Sequence, residues 1–239
     1  MRLETITMPD FSKAKDYIVL IPFGSIEEHG PHLPLGTDAI IAYELSLAAS
    51  EGKEIIVSPP VYYGVCRSTK QHPGTITISE NALRILAKDI VLGFIKHGFK
   101  RFILFSGHAG GTHMASLLEV GEGILEYPEI DCIAIVSIFD LIGKDIPVET
   151  KNDGHAGELE TSLILYLHPE WVKDGAFEDY PKFPKPILVK NKLDYWKSGI
   201  WGDPTKASKE KGERFFMYLA EKFKEIIEKV GKFGRGRDE

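Results

Sequence analysis

The chain of 239 residues has two cysteines, Cys66 and Cys132, and neither belongs to a Cys-x-x-Cys pair. Two thiols build no disulfide framework. No apolar run approaches the roughly 18 residues of a membrane span. Met1 to Asp10 lacks the apolar stretch of a signal peptide, so a cytoplasmic address is expected. Basic excess is missing as well: the net charge of −6 leaves no footprint for nucleic acid. There is no internal repeat and no low-complexity linker. Gly-x-Gly-x-x-Gly does not occur, and no Gly-Lys-Ser/Thr closes a glycine-rich loop, so the common nucleotide-binding fingerprints are excluded.

What is present is an ordinary globular composition, 43% hydrophobic and 27% charged, on a chain long enough to bury a full core without disulfides. Short apolar runs alternate with amphipathic stretches, which predicts a mostly parallel sheet covered on both faces. Strands are expected at Tyr17–Phe23, Glu54–Ser58, Arg101–Ser106 and Cys132–Phe139, with a short β stretch at Thr75–Ile78. Helices are expected at Asp38–Ser50 with Thr37 as N-cap, from Glu80 to about Lys96 with Ser79 as cap, and from about Thr112 to Glu126. Two more should run from about Gly157 to Leu167 and from Asp203-Pro204 to near Gly231, since proline suits a first helical position. The stretch from Trp171 to Gly202 is rich in Pro, Trp and Tyr without a clear period; it reads as a lid, a subunit contact or, for Trp196 and Trp201, core.

Of eight histidines, His97 and His168 lie at helix ends, where imidazole is ordinarily solvated. The other six, His29, His32, His72, His108, His113 and His155, lie in or beside loops. Open α/β sheets carry their sites at the carboxyl ends of their strands, so these loops hold the candidate chemistry. The first constellation is Gly24-Ser-Ile-Glu27-Glu28-His29-Gly-Pro-His32 followed by Asp38. It offers carboxylate, imidazole and carboxylate in a Gly/Pro-punctuated loop, a donor set that suits zinc, manganese or iron. Glu27 and His29 fall on the same side of an extended segment, and Asp38 can bridge two ions. A solvated surface loop is the competing reading.

The second constellation, Ser106-Gly-His108-Ala-Gly-Gly111-Thr-His113, leaves a buried strand and enters a helix. An anion-binding helix start is the alternative, but His108 at the strand end reads better as a metal ligand. His113 reads as a surface residue at the helix start. The third is His155-Ala-Gly-Glu158-Leu-Glu160-Thr-Ser162. Its two acids diverge by about 200° on a helix, so only one readily faces a site shared with His155. The other complements the helix dipole.

Taken in order, Gly-Ser-x-Glu-x-His-Gly-Pro-His-Leu-Pro-x-x-Thr-Asp, Gly-His-x-Gly-Gly and His-Ala-Gly-x-x-Glu-Thr-Ser resemble the signature of the creatininase (creatinine amidohydrolase) family, from about Phe23 to Ser162. His72-Pro73-Gly74-Thr75 matches a further part of it. The resemblance implies one three-layer αβα domain over residues 1–239, a centre of two divalent ions (zinc, manganese or iron), and a homo-oligomer, often a ring-like hexamer. It places Glu27, Asp38 and His108 on one ion. His29, the bridging Asp38 and an acid fall on the other. Creatinine-cleaving members carry that acid two residues after the histidine of the second motif, where this chain has Gly110; Glu160 is the candidate replacement. His155 matches the family's proton-transferring histidine; Glu158 or Glu160 would orient it or ligate a metal, with Glu158 taken for the catalytic part.

A tryptophan that lines the pocket just before the third motif in creatinine-cleaving members has no counterpart in Glu149–Gly154, which argues against creatinine itself. The family also holds formamidopyrimidine deformylases of flavin and deazaflavin synthesis and a processing peptidase. The implied reaction is hydrolysis of a C–N bond of a small cyclic amide or formamide, by hydroxide generated on a two-metal site, with His155 protonating the leaving nitrogen. Arg67, Ser68, Lys70 and His72 are candidate substrate contacts. A phosphoesterase and a non-enzymatic metal-binding protein are the rivals.

Overall fold

A computed structural model describes residues 1–143, 146 and 148–233. Its centre is a four-stranded, wholly parallel sheet of β1 (Ile18–Phe23), β2 (Ile55–Val57), β3 (Arg101–Ser106) and β4 (Cys132–Ser137), in the order β2-β1-β3-β4. Every residue of β1 and β3 is buried. Their continuous apolar runs follow from that, because both faces of a parallel sheet are covered. Ile18, Leu20, Ile103 and Phe105 face one layer, and Val19, Ile21, Phe102 and Leu104 face the other.

The first layer holds the helices α1 (Thr37–Ser50), α4 (Glu158–Leu167) and α5 (Lys209–Lys232). The second holds α2 (Glu80–Ile95) and α3 (Gly111–Leu125). The expected αβα arrangement is therefore the observed one. From β1 the chain crosses to β2 on one side, and from β3 it crosses to β4 on the other. The strand order thus reverses between the carboxyl ends of β1 and β3, which opens a crevice there.

Several boundaries differ from the sequence expectation. Thr37 is the first helical residue rather than the cap; its hydroxyl donates to the Pro34 carbonyl at 2.7 Å, and Gly36 takes the cap position. Thr75–Ile78 joins no sheet. It braces two loops instead, Ile76 donating to the Ile26 carbonyl at 2.9 Å and Ile78 to the Gly64 carbonyl at 3.0 Å. β4 stops at Ser137, where a capping box with Asp140 starts a single turn at Ile138–Leu141. Asp203-Pro204 opens only a 3₁₀ turn, Pro204–Lys206, and the long helix waits for Ser208, whose hydroxyl accepts from Lys211. Ser79 caps α2 as expected, accepting from Ala82.

Candidate metal centre and active site

Two glycines decide how Asp38 reaches the crevice. A Cβ on Gly24 would lie 2.3 Å from the Ala39 nitrogen, and one on Gly107 would lie 2.2 Å from the Asp38 carbonyl oxygen. Only hydrogen at these positions lets the first turn of α1 wedge between the ends of β1 and β3. The loops themselves are tied together, Gly107 donating to the Phe23 carbonyl at 2.9 Å. Asp38 then stands between the loop after β1, carrying Glu27 and His29, and the loop after β3, carrying His108.

The Asp38 carboxylate spans the two loops. Its Oδ1 is 3.1 Å from His29 Nε2 and its Oδ2 is 3.1 Å from His108 Nδ1. Glu27 Oε2 is 2.9 Å from the same His108 nitrogen, and Glu160 Oε2 is 3.8 Å from His29 Nε2. The outer nitrogen of each ring is committed to a backbone carbonyl: His29 Nδ1–H donates to Glu27 at 3.0 Å, and His108 Nε2–H donates to Val65 at 3.1 Å. A carbonyl only accepts, so the inward nitrogens are the ones with a lone pair to offer a cation, the arrangement that orients metal-bound histidines. Ser25 donates to Asp38 Oδ2 at 2.6 Å, and Thr69 donates to Glu27 Oε1.

The electrostatics have the sign of a cation site. Burial opposes charge on His29, yet Asp38, Glu160 and Glu27 outweigh it and push its pKa up to about 10. Burial likewise opposes charge on Glu27, but His108 holds it down to about 2. Asp38 is driven well below the carboxylate range against its burial by His29 and His108. The Glu27 and Asp38 carboxylates are thus stabilised by positive charge, which protons supply on this chain alone, whereas burial pushes the Glu160 carboxyl up against the pull of His29 and His155.

His155 and Glu160 arrive from the opposite rim. Ala156 adopts a left-handed backbone conformation, φ 48°, unusual for a residue with a side chain. The turn it makes brings its N–H to Glu160 Oε2 at 2.5 Å and stacks the His155 ring on His29, with centroids 4.2 Å apart. His155 Nε2–H donates to the Glu28 carbonyl at 2.7 Å, and the Glu28 carboxylate lies 3.6 Å away. Donor atoms of His29, His155 and Glu160 all fall within 4.8 Å of one another, as do those of Glu27, Cys66 and His108. Glu160 is thus the acid of the third motif that faces the crevice.

Glu158 does not. Its carboxylate accepts from Lys211 Nζ at 2.8 Å, from the Glu149 and Thr150 N–H groups at 3.0 and 2.8 Å, and from the Thr150 hydroxyl at 2.7 Å. The expected part in orienting His155 is corrected: the helix turns this side chain towards α5, where it anchors the 149–150 loop. His113 is corrected too. Rather than lying at the surface it is fully buried, its Nδ1 accepting from Val65 N–H at 3.2 Å and its Nε2 bonded to Ser106 at 3.1 Å. Burial and the neighbouring His108 push its pKa down to about 3. His32 is buried against the Thr161 hydroxyl, 2.9 Å away.

A cavity of about 240 Å³ opens beside these groups, walled by Gly110, Ile138, Phe139, His155, Trp196 and Trp201. Ser68 also lines it. Arg67 instead pairs with Glu80, and His72 is buried beneath Trp196, its Nε2–H donating to the Trp196 carbonyl at 2.8 Å. Trp196 leans edge-on over His155, ring centroids 5.5 Å apart, and Trp201 pairs backbone to backbone with His155. The sequence left Trp196 and Trp201 open between lid and core; they form the aromatic wall. Glu28, beside His155, has no assigned part in the first motif, although its position between two candidate ligands is a usable signal. A wider groove of about 880 Å³ near Glu51, Lys53 and Lys209 contains none of the clustered histidines.

An open parallel sheet with buried histidines and carboxylates gathered at its switch point has the layout of an αβα enzyme. The chain belongs to the creatininase family: the family model, described as creatinine amidohydrolase, matches residues 4–227. Membership places it among hydrolases of carbon–nitrogen bonds. It is 30% identical over 217 residues to a mycofactocin precursor peptide peptidase of Mycolicibacterium smegmatis, covering 84% of this chain and 81% of the relative. It is 26% identical over 220 residues to a creatinine amidohydrolase of Pseudomonas putida, covering 84% of each. A solved creatinine amidohydrolase superposes with a TM-score of 0.86 at 21% identity, over 97% of this chain and 98% of the other. Solved creatininases of the same fold include a manganese form and a zinc–zinc form.

Proposed function

We propose that the chain is a two-metal amidohydrolase acting on a small amide, with Glu27, Asp38 and His108 holding one divalent ion and His29, Asp38 and Glu160 the other. One observation carries this reading: the two oxygens of a single buried carboxylate, Asp38, each face the inward nitrogen of a different histidine. The donor set, imidazole and carboxylate with outer nitrogens tied to carbonyls, fits zinc, manganese or iron. When bound, such a pair polarises a carbonyl and lowers the pKa of water towards neutrality.

The remaining work falls to the chain's own residues. His155 stands against His29 at the cavity wall and is the group to protonate the leaving nitrogen. Glu160 has two tasks, as ligand and as acceptor for the Ala156 N–H that holds the His155 turn. Ile138, Phe139, Trp196 and Trp201 exclude water and clasp the apolar part of the substrate. A cavity of about 240 Å³ suits a compact amide or formamide better than a folded polypeptide.

A second reading, cleavage near the end of a peptide, is favoured by the 30% identity with the mycofactocin precursor peptide peptidase. Metal content per chain, measured together with hydrolysis of creatinine, a formamidopyrimidine nucleotide, short peptides and a phosphate ester, tests both. Two ions per chain with ring opening of creatinine, or release of formate from the formamide, support the first reading. Turnover confined to peptides selects the second, turnover of the phosphate ester alone overturns both, and no metal with no turnover leaves a binding protein.

A further inference from the structure

We propose that Cys66 supplies a sulfur ligand to the Glu27–His108 half of the metal centre, so that this half selects a thiophilic divalent ion such as zinc over manganese. The inference rests on the two-metal reading above and adds to it a ligand that neither half of that reading uses.

Cys66 is fully buried, yet it belongs to neither of the two apolar clusters that make up the core among the described residues. A buried cysteine that merely fills space packs among hydrocarbon. This one instead lies beside the buried Glu27 carboxylate. Its Sγ, a Glu27 carboxylate oxygen and a His108 ring nitrogen all lie within 4.8 Å of one another. Donor atoms around a tetrahedral zinc ion, at ordinary zinc–sulfur and zinc–nitrogen lengths, sit about 3.5 Å apart. Small side-chain rotations close the difference.

The backbone holds the thiol in that position. His108 Nε2–H donates to the Val65 carbonyl at 3.1 Å, Val65 N–H donates to His113 Nδ1 at 3.2 Å, and Cys66 N–H donates to Thr77 Oγ1 at 2.9 Å. The same bond that turns the His108 lone pair inwards therefore clamps the peptide bearing Cys66. The two side chains are positioned as a unit.

Charge points the same way. Glu27, Asp38 and Glu160 bring three negative charges to a buried site that would receive two divalent cations. A thiolate at Cys66 would add an anionic donor to the half of the site it faces, which strengthens the hold on a divalent ion there. Coordination exchanges the S–H bond for a sulfur–metal bond, and the proton leaves to solvent; no electron is transferred. Thiolate also shifts the preference among divalent ions, since soft sulfur favours zinc whereas manganese favours oxygen.

Metal-free protein titrated with cobalt(II) tests the proposal. Wild type and Cys132→Ser should develop, with the visible d–d bands, an intense near-ultraviolet sulfur-to-cobalt charge-transfer band that saturates at one equivalent. Cys66→Ser should keep the d–d bands and lose the charge-transfer band. Its zinc-to-manganese affinity ratio should fall roughly tenfold or more. Cobalt bound at two per chain in wild type with no charge-transfer band overturns the sulfur ligand and leaves the two-metal reading intact. Failure of wild type to bind cobalt at all overturns both. Because the wild-type spectrum decides the matter, misfolding of the serine variant would not shield the proposal.

Discussion

Residues 24–38 and residues 171–202 border the same cavity, but they are built in opposite ways. The first segment leaves a buried central strand and reaches the site within a few residues. Its polar groups face one another because Gly24 and Gly107 let three pieces of backbone close up. The second has no strand or α-helix of its own, only short 3₁₀ turns, and delivers Trp196 and Trp201 through backbone pairing with His155 and through the His72 post. The floor of the site is chemistry at the carboxyl ends of rigid central strands; its wall is an irregular segment held by a few specific bonds. Damage to the floor should therefore remove metal and reaction together, and damage to the wall should change substrate affinity and stability.

The largest effect is expected at the floor. Asp38→Ala should lower metal affinity by at least about 100-fold and take turnover to background; full metal content by atomic absorption would break the bridging assignment. His155→Asn should lower kcat by about 10²–10⁴-fold while the metal content stays at the wild-type level. Loss of one ion per chain in that variant would instead make His155 a ligand beside His29 and Glu160.

The wall gives the next size of effect. Trp196→Ala removes a buried ring and the bond from its Nε1–H to the Ile200 carbonyl at 2.8 Å. It should cost about 3–5 kcal/mol in denaturant unfolding, with KM raised and metal retained. If metal is lost instead, floor and wall are one cooperative unit and the contrast fails. Glu158→Gln should cost about 1–3 kcal/mol through its weakened bonds to Lys211 and Thr150, and kcat should not change. An equal fall in kcat for Glu158→Gln and Glu160→Gln would restore Glu158 to the site.

The smallest effect concerns pH. His113 and His32 are held neutral, with pKa values pushed down to about 3 and about 4, by burial first and then by His108 and His29 respectively. A depressed folded pKa contributes stability above the unfolded value near 6.5, and that contribution is lost as pH falls towards 3–4. His29 and His108 carry protons in the metal-free chain, so they add nothing to this acid limb. Burial pushes Asp153 up to about 6, which opposes this limb, so the melting temperature of metal-free His113→Gln should fall less between pH 6.5 and 4 than that of wild type, and parallel profiles would contradict the neutral assignment.

The order of strands and helices, the parallel sheet and the loops bearing Glu27, His29, Asp38, His108 and His155 were all legible in the chain. Apolar runs with both faces buried differ sharply from amphipathic helices, and metal-type side chains clustered between glycines stand out against them. Helix starts were less legible. Thr37 and Asp203 both suit a cap, but the hydroxyl of Thr37 is taken by Pro34 and Asp203 closes only one turn.

The sequence by itself determined the fold class and the kind of donor atoms at the site, because periodicity and side-chain chemistry are local properties. Only the tertiary structure decided that Glu160 and not Glu158 faces the crevice, since a helix fixes the angle between two residues but not which one points inwards. It alone buried His113, drew Cys66 to Glu27 and His108, and brought Trp196 over His155. Each of those contacts joins segments far apart along the chain, and such contacts are settled by how the layers close, which no local pattern records.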